Sequence, residues 1–225
     1  MDVAKGLRPT YGHSARQEMQ RFIPGTAKCL LEIGCNTGGF GAALKATRNI
    51  EIWGIEPDPD AAAEAALLLD RVIASPFTDD IDVPDAYFDA VVFNDVLEHM
   101  IDPWAGLRLA ARKLAPEGVV IASIPNLRHV DNLEHILLDA DFQYESHGIR
   151  DCTHLRFFTL KSARRMFEDV GFEILREVGI NASWWNRPVW QRVAFRIWRE
   201  KLDDTKFQQF AFIARPAPSP SSGHE

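Results

Sequence analysis

Short apolar runs alternate along this chain with longer stretches whose apolar residues recur at helical spacing. Leu30-Leu31-Glu32-Ile33 is one such run. It stops at Gly34-Cys35-Asn36-Thr37-Gly38-Gly39 and reopens as Phe40-Gly41-Ala42-Ala43-Leu44-Lys45. That pattern predicts a strand, a tight turn and the start of a helix. Ile52-Trp53-Gly54-Ile55-Glu56 follows about twenty residues later and predicts a second strand tipped by a carboxylate. Helices are predicted at 14–22, ended by Pro24-Gly25, and at 61–69, preceded by Pro57 and Pro59. Two more are predicted at 104–114 and 160–170. Asp102-Pro103 starts the first and Pro116-Glu117-Gly118 stops it, while Thr159 is the N-cap of the second. Alternating strand and helix patterns imply an α/β fold around a mostly parallel sheet.

The turn at residues 34–39 offers backbone N–H groups to a ligand, and its small residues allow a close approach to the main chain. A glycine turn followed at this distance by an acid is how a βαβ unit grips a nucleoside, with the acid on the ribose hydroxyls. The third glycine of the dinucleotide fingerprint is missing. No Lys-Ser/Thr pair follows the glycines, which sets aside a phosphate-cradling loop.

The stretch resembles motif I of the class I S-adenosylmethionine-dependent methyltransferases, E/D-x-G-x-G-x-G, with Glu32, Gly34 and Gly38 matching and Asn36 in place of the middle glycine. Asn tolerates the left-handed backbone better than other non-glycine residues. Residues 88–99 resemble the family's fourth strand and the loop after it, and 118–126 its fifth strand. Residues 171–175 and 207–214 resemble strands six and seven. The resemblance implies a Rossmann-like, seven-stranded, mostly parallel sheet with helices on both faces and an antiparallel last strand. It further implies a single domain over residues 1–215 with S-adenosylmethionine as cofactor. Carried over position by position, it places Gly34 and Gly38, with Cys35 and Asn36 between them, under the methionine part. Glu56 meets the ribose, with Pro57 beside it. Asn94, Asp95 and Val96 line the methionine side, and Glu32 belongs to the motif itself. Relatives often carry an acid for the adenine after strand three. Pro76 stands in that slot here, leaving Phe77 and backbone atoms to hold the ring, unless Phe77 is simply core. Relatives also fold an aromatic residue and an Arg over the cofactor carboxylate, positions matched by Tyr11 and Arg16.

A chain of 225 residues suits one domain with a sizeable core. Its net charge of −7 argues against a nucleic acid as main substrate. Three cysteines, Cys29, Cys35 and Cys152, lack metal-ligand spacing and suit a reducing cytoplasm, and no apolar run approaches a transmembrane length. Residues 216–225, rich in Pro and Ser, are expected to be a disordered tail.

The acceptor side has more than one reading. On a helical turn Asp95, Glu98 and His99 would share a face. This resembles a set linked to a divalent metal in some ubiquinone-pathway O-methyltransferases, but Glu-His at this point is common in relatives where it only caps or braces the loop; no metal ligand is assigned from it. Pro125-Asn126-Leu127-Arg128-His129 and Asp151-Cys152-Thr153-His154-Leu155-Arg156-Phe157-Phe158 resemble a subgroup associated with sugars and polysaccharides. His154 is the candidate general base, His129 a second candidate, and Asp151 a supporting acid; the alternative is that they brace the loop. The segment 183–203 is expected to be a lid or interaction insertion. Within it the Trp/Arg-rich stretch 184–201, helical from about Val189, could pack on the core, meet a membrane surface or join a homodimer. The leading expectation is O-methylation of a hydroxyl on a sugar or glycan-like acceptor, the partner being a small-molecule or glycan acceptor. The alternatives are a quinone, phenol or amine acceptor, or a non-catalytic cofactor-binding partner protein.

Overall fold

The computed structural model describes residues 14–183, 188–189, 193 and 199–217. Its centre is a seven-stranded sheet, built from β1 (Cys29–Ile33), β2 (Glu51–Ile55), β3 (Arg71–Ile73), β4 (Phe88–Asn94), β5 (Leu114–Pro125), β6 (Phe172–Ala182) and β7 (Phe207–Pro216). The spatial order is β3-β2-β1-β4-β5-β7-β6. The pairings from β3 through β5 are parallel, whereas β7 runs antiparallel to both β5 and β6. Strand order therefore reverses between β1 and β4, and open α/β sheets bind ligands at the carboxyl ends of strands at such a switch point.

Both faces of the sheet are covered, which is why its strands read as continuous apolar runs. One core joins Leu31, Ile33 and Phe93 to Leu107 of α4 (Pro103–Lys113) and Met166 and Phe167 of α6 (Leu160–Asp169). The other joins Leu30, Ile52 and Val92 to Met19 of α1 (Gln17–Gln20), Phe40 and Leu44 of α2 (Gly39–Lys45), and Ala65 of α3 (Pro59–Ala65). A further helix, α5 (Val130–Leu137), follows β5.

Capping fixes where these helices begin. Asp58 Oδ1 accepts hydrogen bonds from the N–H groups of Asp60 (2.9 Å) and Ala61 (3.2 Å), and Pro59 opens α3. Asp102 Oδ1 accepts from Ala105 N–H at 2.9 Å, with Pro103 opening α4. Thr159 and Ser162 form a reciprocal capping box on α6.

Several boundaries differ from the sequence pattern. The first helix does not span 14–22, because Arg16 sits at φ 41°, in the left-handed region, and helical backbone starts only after it. The third helix stops at Ala65, where Leu68 and Leu69 N–H groups both fold back to the Ala65 carbonyl, instead of running to Leu69. β5 begins at Leu114, which pairs with Phe88 ahead of the Pro116-Glu117-Gly118 break. β6 continues to Ala182 because β7 pairs with it throughout. Pro216 still belongs to β7, and Ala217 N–H bonds the Gly171 carbonyl. Tyr11, most of the 184–201 segment, hence most of the 183–203 insertion, and residues 218–225 lie outside the described residues. Among the described residues, no helix is long and apolar enough to cross a membrane.

Candidate active site

An open cleft of about 1380 Å³ lies over the carboxyl ends of β1, β2, β4 and β5. The turn after β1, the end of β2 and the Phe77 segment form one part of its lining. The loop after β4 and the 145–154 loop form another. Of the residues singled out from sequence, Arg16, Glu32, Gly34, Cys35, Asn36, Glu56, Pro57, Phe77, Asn94, Asp95, Val96, His129, Asp151 and His154 all line it. Gly38 does not. Its φ of +80° turns the chain into α2, and an added Cβ would lie 3.1 Å from Ala65 Cα, so its part is to seat α2 against α3.

The turn is locked by the second strand. Gly34 and Cys35 N–H groups both donate to the Ile55 carbonyl, at 2.8 and 3.1 Å. Glu56, 8% exposed, accepts Asn36 N–H on Oε2 (2.8 Å) and Asp58 N–H on Oε1 (3.0 Å). Each carboxylate oxygen has a second acceptor site, so Glu56 can brace the turn and still receive a ligand hydroxyl. Gly34 has φ +65°, and a Cβ there would come within 2.7 Å of Val96 Cγ2. Asn36 takes φ 48° without difficulty and its Oδ1 accepts Thr37 N–H at 2.6 Å. The Cys35 thiol is buried and burial holds it protonated. Phe77 is both cleft wall and core, edge-on to Phe93 at 6.2 Å between ring centroids.

Beneath the turn, Glu32 is 2% exposed, and burial pushes its carboxyl up to about 8 despite hydrogen bonds from Asn94 and the Gly41 N–H. Glu32 Oε2 and Asn94 Oδ1 are buried acceptors with no hydrogen-bond partner. Buried unsatisfied acceptors are costly and uncommon. Asn94 Nδ2 touches Glu32 Oε1 at 3.5 Å, so the two residues are neighbours, and a ligand N–H or cationic group reaching either orphaned oxygen would satisfy it.

Asp95 does not join Glu98 and His99 on one helical face. Its φ is 55°, and the turn that follows, Leu97–His99, is a short 3₁₀ segment. The Asp95 carboxylate instead pairs with Arg16, accepts Gln209 Nε2–H at 2.7 Å and accepts the Ser123 hydroxyl at 2.7 Å. Arg16 also reaches Glu18 and Ser123. An incoming carboxylate would therefore share Arg16 with Asp95. Ser123 and Gln209 carry no signal in the sequence, since strand pairing alone brings β5 and β7 together here.

The far end of the cleft is polar. His154 Nδ1 lies 3.1 Å from the Ile149 carbonyl and its Nε2 3.9 Å from Glu98 Oε1. Burial, and then the neighbouring His99, hold the imidazole below its ordinary range. Glu98 is 1% exposed, and burial followed by the charge of Asp95 lifts its carboxyl well above the usual carboxylate range. Asp151 Oδ1 accepts both the N–H (2.8 Å) and the hydroxyl (2.7 Å) of Thr153, which orders the loop. His129 is 1% exposed with Nε2 2.8 Å from Ser183 Oγ, at the start of α5. That placement braces the 125–130 turn and suits a base poorly. The pairing of Glu98 with His154 is invisible in the sequence, where a carboxylate inside Val96-Leu97-Glu98 is its only trace.

The family model described as a methyltransferase domain matches residues 8–177. This chain belongs to the methyltransferase-domain family. A protein of Mycobacterium tuberculosis named a probable S-adenosylmethionine-dependent methyltransferase is 34% identical over 109 residues, covering 48% of this chain and 39% of that protein. An O-methyltransferase of Penicillium expansum is 25% identical over 187 residues, covering 71% of this chain and 66% of that protein. The chain thus spans well under half the length of the mycobacterial relative and about two thirds of the fungal one. Among solved structures, an S-adenosylmethionine-dependent methyltransferase from Archaeoglobus fulgidus superposes with a TM-score of 0.64 at 20% identity, covering 88% of this chain and 90% of that one. The last comparison bears on the fold, and it agrees with the strand order and the antiparallel β7 of this methyltransferase domain.

Proposed function

We propose that this methyltransferase domain transfers the methyl group of S-adenosylmethionine to a hydroxyl of a sugar or glycan-like acceptor. The observation that carries the reading is a single cleft with two unlike ends. One end is the braced turn 34–37 with Glu56, Glu32 and Asn94; the other is a polar wall that includes His154. Glu56 receives the ribose hydroxyls, and Asn94 with Glu32 meets the amino acid end of the cofactor. Arg16 supports its carboxylate, and Phe77 packs on the base.

The sulfonium supplies an activated methyl group: a C–O bond to the acceptor forms as the C–S bond breaks, leaving a neutral thioether. What remains for the protein is alignment and removal of one proton. His154 is the group for that proton. A carbonyl can only accept, so the contact with Ile149 requires N–H at Nδ1 and leaves the lone pair on Nε2. Asp151 supports this indirectly by fixing the loop. Asp131, Asn132, Glu145 and Arg150 line the same end, and such a set suits a polyhydroxylated acceptor better than a flat apolar ring.

Calorimetry with S-adenosylhomocysteine tests the cofactor half. Saturable binding is expected in the wild type and loss of most affinity in Glu56→Ala. The acceptor half is tested by labelled methyl transfer to a panel of nucleotide sugars and, in parallel, to phenols and quinols. Label on a sugar supports the reading, and label confined to phenols or quinols replaces it. His154→Ala is expected to lower turnover by about 10²–10⁴-fold with cofactor affinity nearly unchanged.

A further inference from the structure

Glu98, His99 and His154 offer one ligand atom each within 4.8 Å of one another, inside the cleft but away from the glycine turn. Their hydrogen bonding gives this trio a specific chemistry. His154 Nδ1 faces the Ile149 carbonyl at 3.1 Å. His99 Nδ1 faces the Thr153 carbonyl at 3.3 Å and the Thr153 hydroxyl at 3.1 Å. That hydroxyl already donates its proton to Asp151 Oδ1 at 2.7 Å, so it too can only accept from His99. Both imidazoles are thereby fixed as the tautomer with N–H at Nδ1 and a lone pair at Nε2. The third member, Glu98, is 1% exposed, and neither of its oxygens takes part in a hydrogen bond. A buried acid whose oxygens have no hydrogen-bond partner, within ligand distance of two imidazoles of fixed tautomer, is a set of atoms suited to a cation.

We propose that Glu98, His99 and His154 bind a divalent first-row transition ion at the acceptor end of the cleft. Two imidazoles and one carboxylate suit zinc, iron(II) or cobalt, whereas magnesium, calcium and manganese favour oxygen-rich sets. Ligating histidines typically donate their second N–H to a carbonyl or a carboxylate-linked group, as both do here. Asp95 is outside this set, because its carboxylate is committed to Arg16, Ser123 and Gln209. Metal–ligand distances of about 2.0–2.2 Å require the three side chains to draw in by roughly an ångström, a rotamer-scale adjustment. Three protein ligands leave coordination positions open to a water or an acceptor oxygen.

This inference rests on the reading of the wall as the acceptor end. With the ion bound, His154 would be a ligand and not the base it is in the metal-free cleft, and the ion would supply Lewis-acid polarisation of an acceptor hydroxyl, whose proton would pass to solvent.

The test is a cobalt(II) titration of tag-free, chelator-stripped full-length protein, followed by visible absorption. One saturable equivalent with ligand-field bands is expected. Affinity should fall at least about tenfold in Glu98→Gln and in His154→Ala, and by a similar factor in Thr153→Val, which cuts the link from Asp151 to His99. His99→Gln, at a half-buried position, provides a ligand deletion that leaves the core alone. Binding of S-adenosylhomocysteine in each variant reports that the fold is intact, and its absence even in the wild type would sink the cofactor reading without touching the ion. Cobalt that fails to saturate, or that binds wild type and the ligand variants equally, overturns the ion site.

Discussion

At the scale of single residues, the cofactor end depends on backbone conformations that few side chains tolerate. Gly34 combines a positive φ of 65° with a Cβ position only 2.7 Å from Val96 Cγ2. Gly34→Ala therefore carries two penalties. The left-handed backbone costs about 1–2 kcal/mol for an alanine, and the collision with Val96 adds to it. Adding Val96→Ala to Gly34→Ala relieves only the collision. The double variant should recover part of the lost stability in denaturant unfolding, while the backbone share remains. Full recovery would show that strain at residue 34 is unimportant. The glycine itself is legible from sequence because a turn between an apolar run and a helix leaves few alternatives. Its partner Val96 is brought there by the β1–β4 pairing and can only be read from the fold.

At the scale of elements, the 125–159 region is shaped by what anchors its two ends. Asn126 pairs with Phe158, and Leu127 N–H donates to the Phe158 carbonyl at 2.8 Å. The next residue, Thr159, closes the capping box on α6. Removing that cap with Thr159→Ala should cost about 1 kcal/mol. That corresponds to a fall in melting temperature of roughly 2–4 °C for a domain of this size, measurable by calorimetry. Turnover should change far less than in His154→Ala, since the cap lies outside the cleft. The cap is plain in the sequence, as is Asp102, because a short polar residue ahead of a helical pattern has a local meaning. The Asp58 cap is not, since the apolar pattern there starts only at Ala61 while the helix opens at Pro59. The boundaries that the pattern misplaces have non-local causes. β5 starts early because Phe88 is there to pair with Leu114, and β6 runs on because β7 lies alongside it. The grouping of Asp95 with Glu98 and His99 fails for a related reason. Helical spacing does not apply to a segment whose first residue is pulled into left-handed geometry by Arg16, Ser123 and Gln209.

At the scale of the whole molecule, the buried carboxyl of Glu32 links folding, pH and ligand binding. Its pKa is raised from 4.5 to about 8 by burial, so between those limits the folded protein holds a proton that the unfolded chain has released. Stability from this group is fully present below pH 4.5 and is lost as pH rises through about 8. The loss is on the order of a few kcal/mol, because a tenfold difference in proton affinity between folded and unfolded chain corresponds to about 1.4 kcal/mol. Glu32→Gln retains the neutral shape and should flatten the decline of stability on the alkaline side, read from urea midpoints across that range. The same proton bears on the proposed cofactor. A cationic ligand group beside Glu32 favours its ionised form, so binding near neutral pH should expel a proton. Calorimetric binding enthalpies of S-adenosylmethionine, measured in buffers of different ionisation enthalpy, should then differ in proportion to the protons released. Glu32→Gln should abolish that dependence. If the wild-type enthalpy is the same in every buffer, the cofactor's positive charge does not reach Glu32, and the orphaned oxygens of Glu32 and Asn94 need a different ligand.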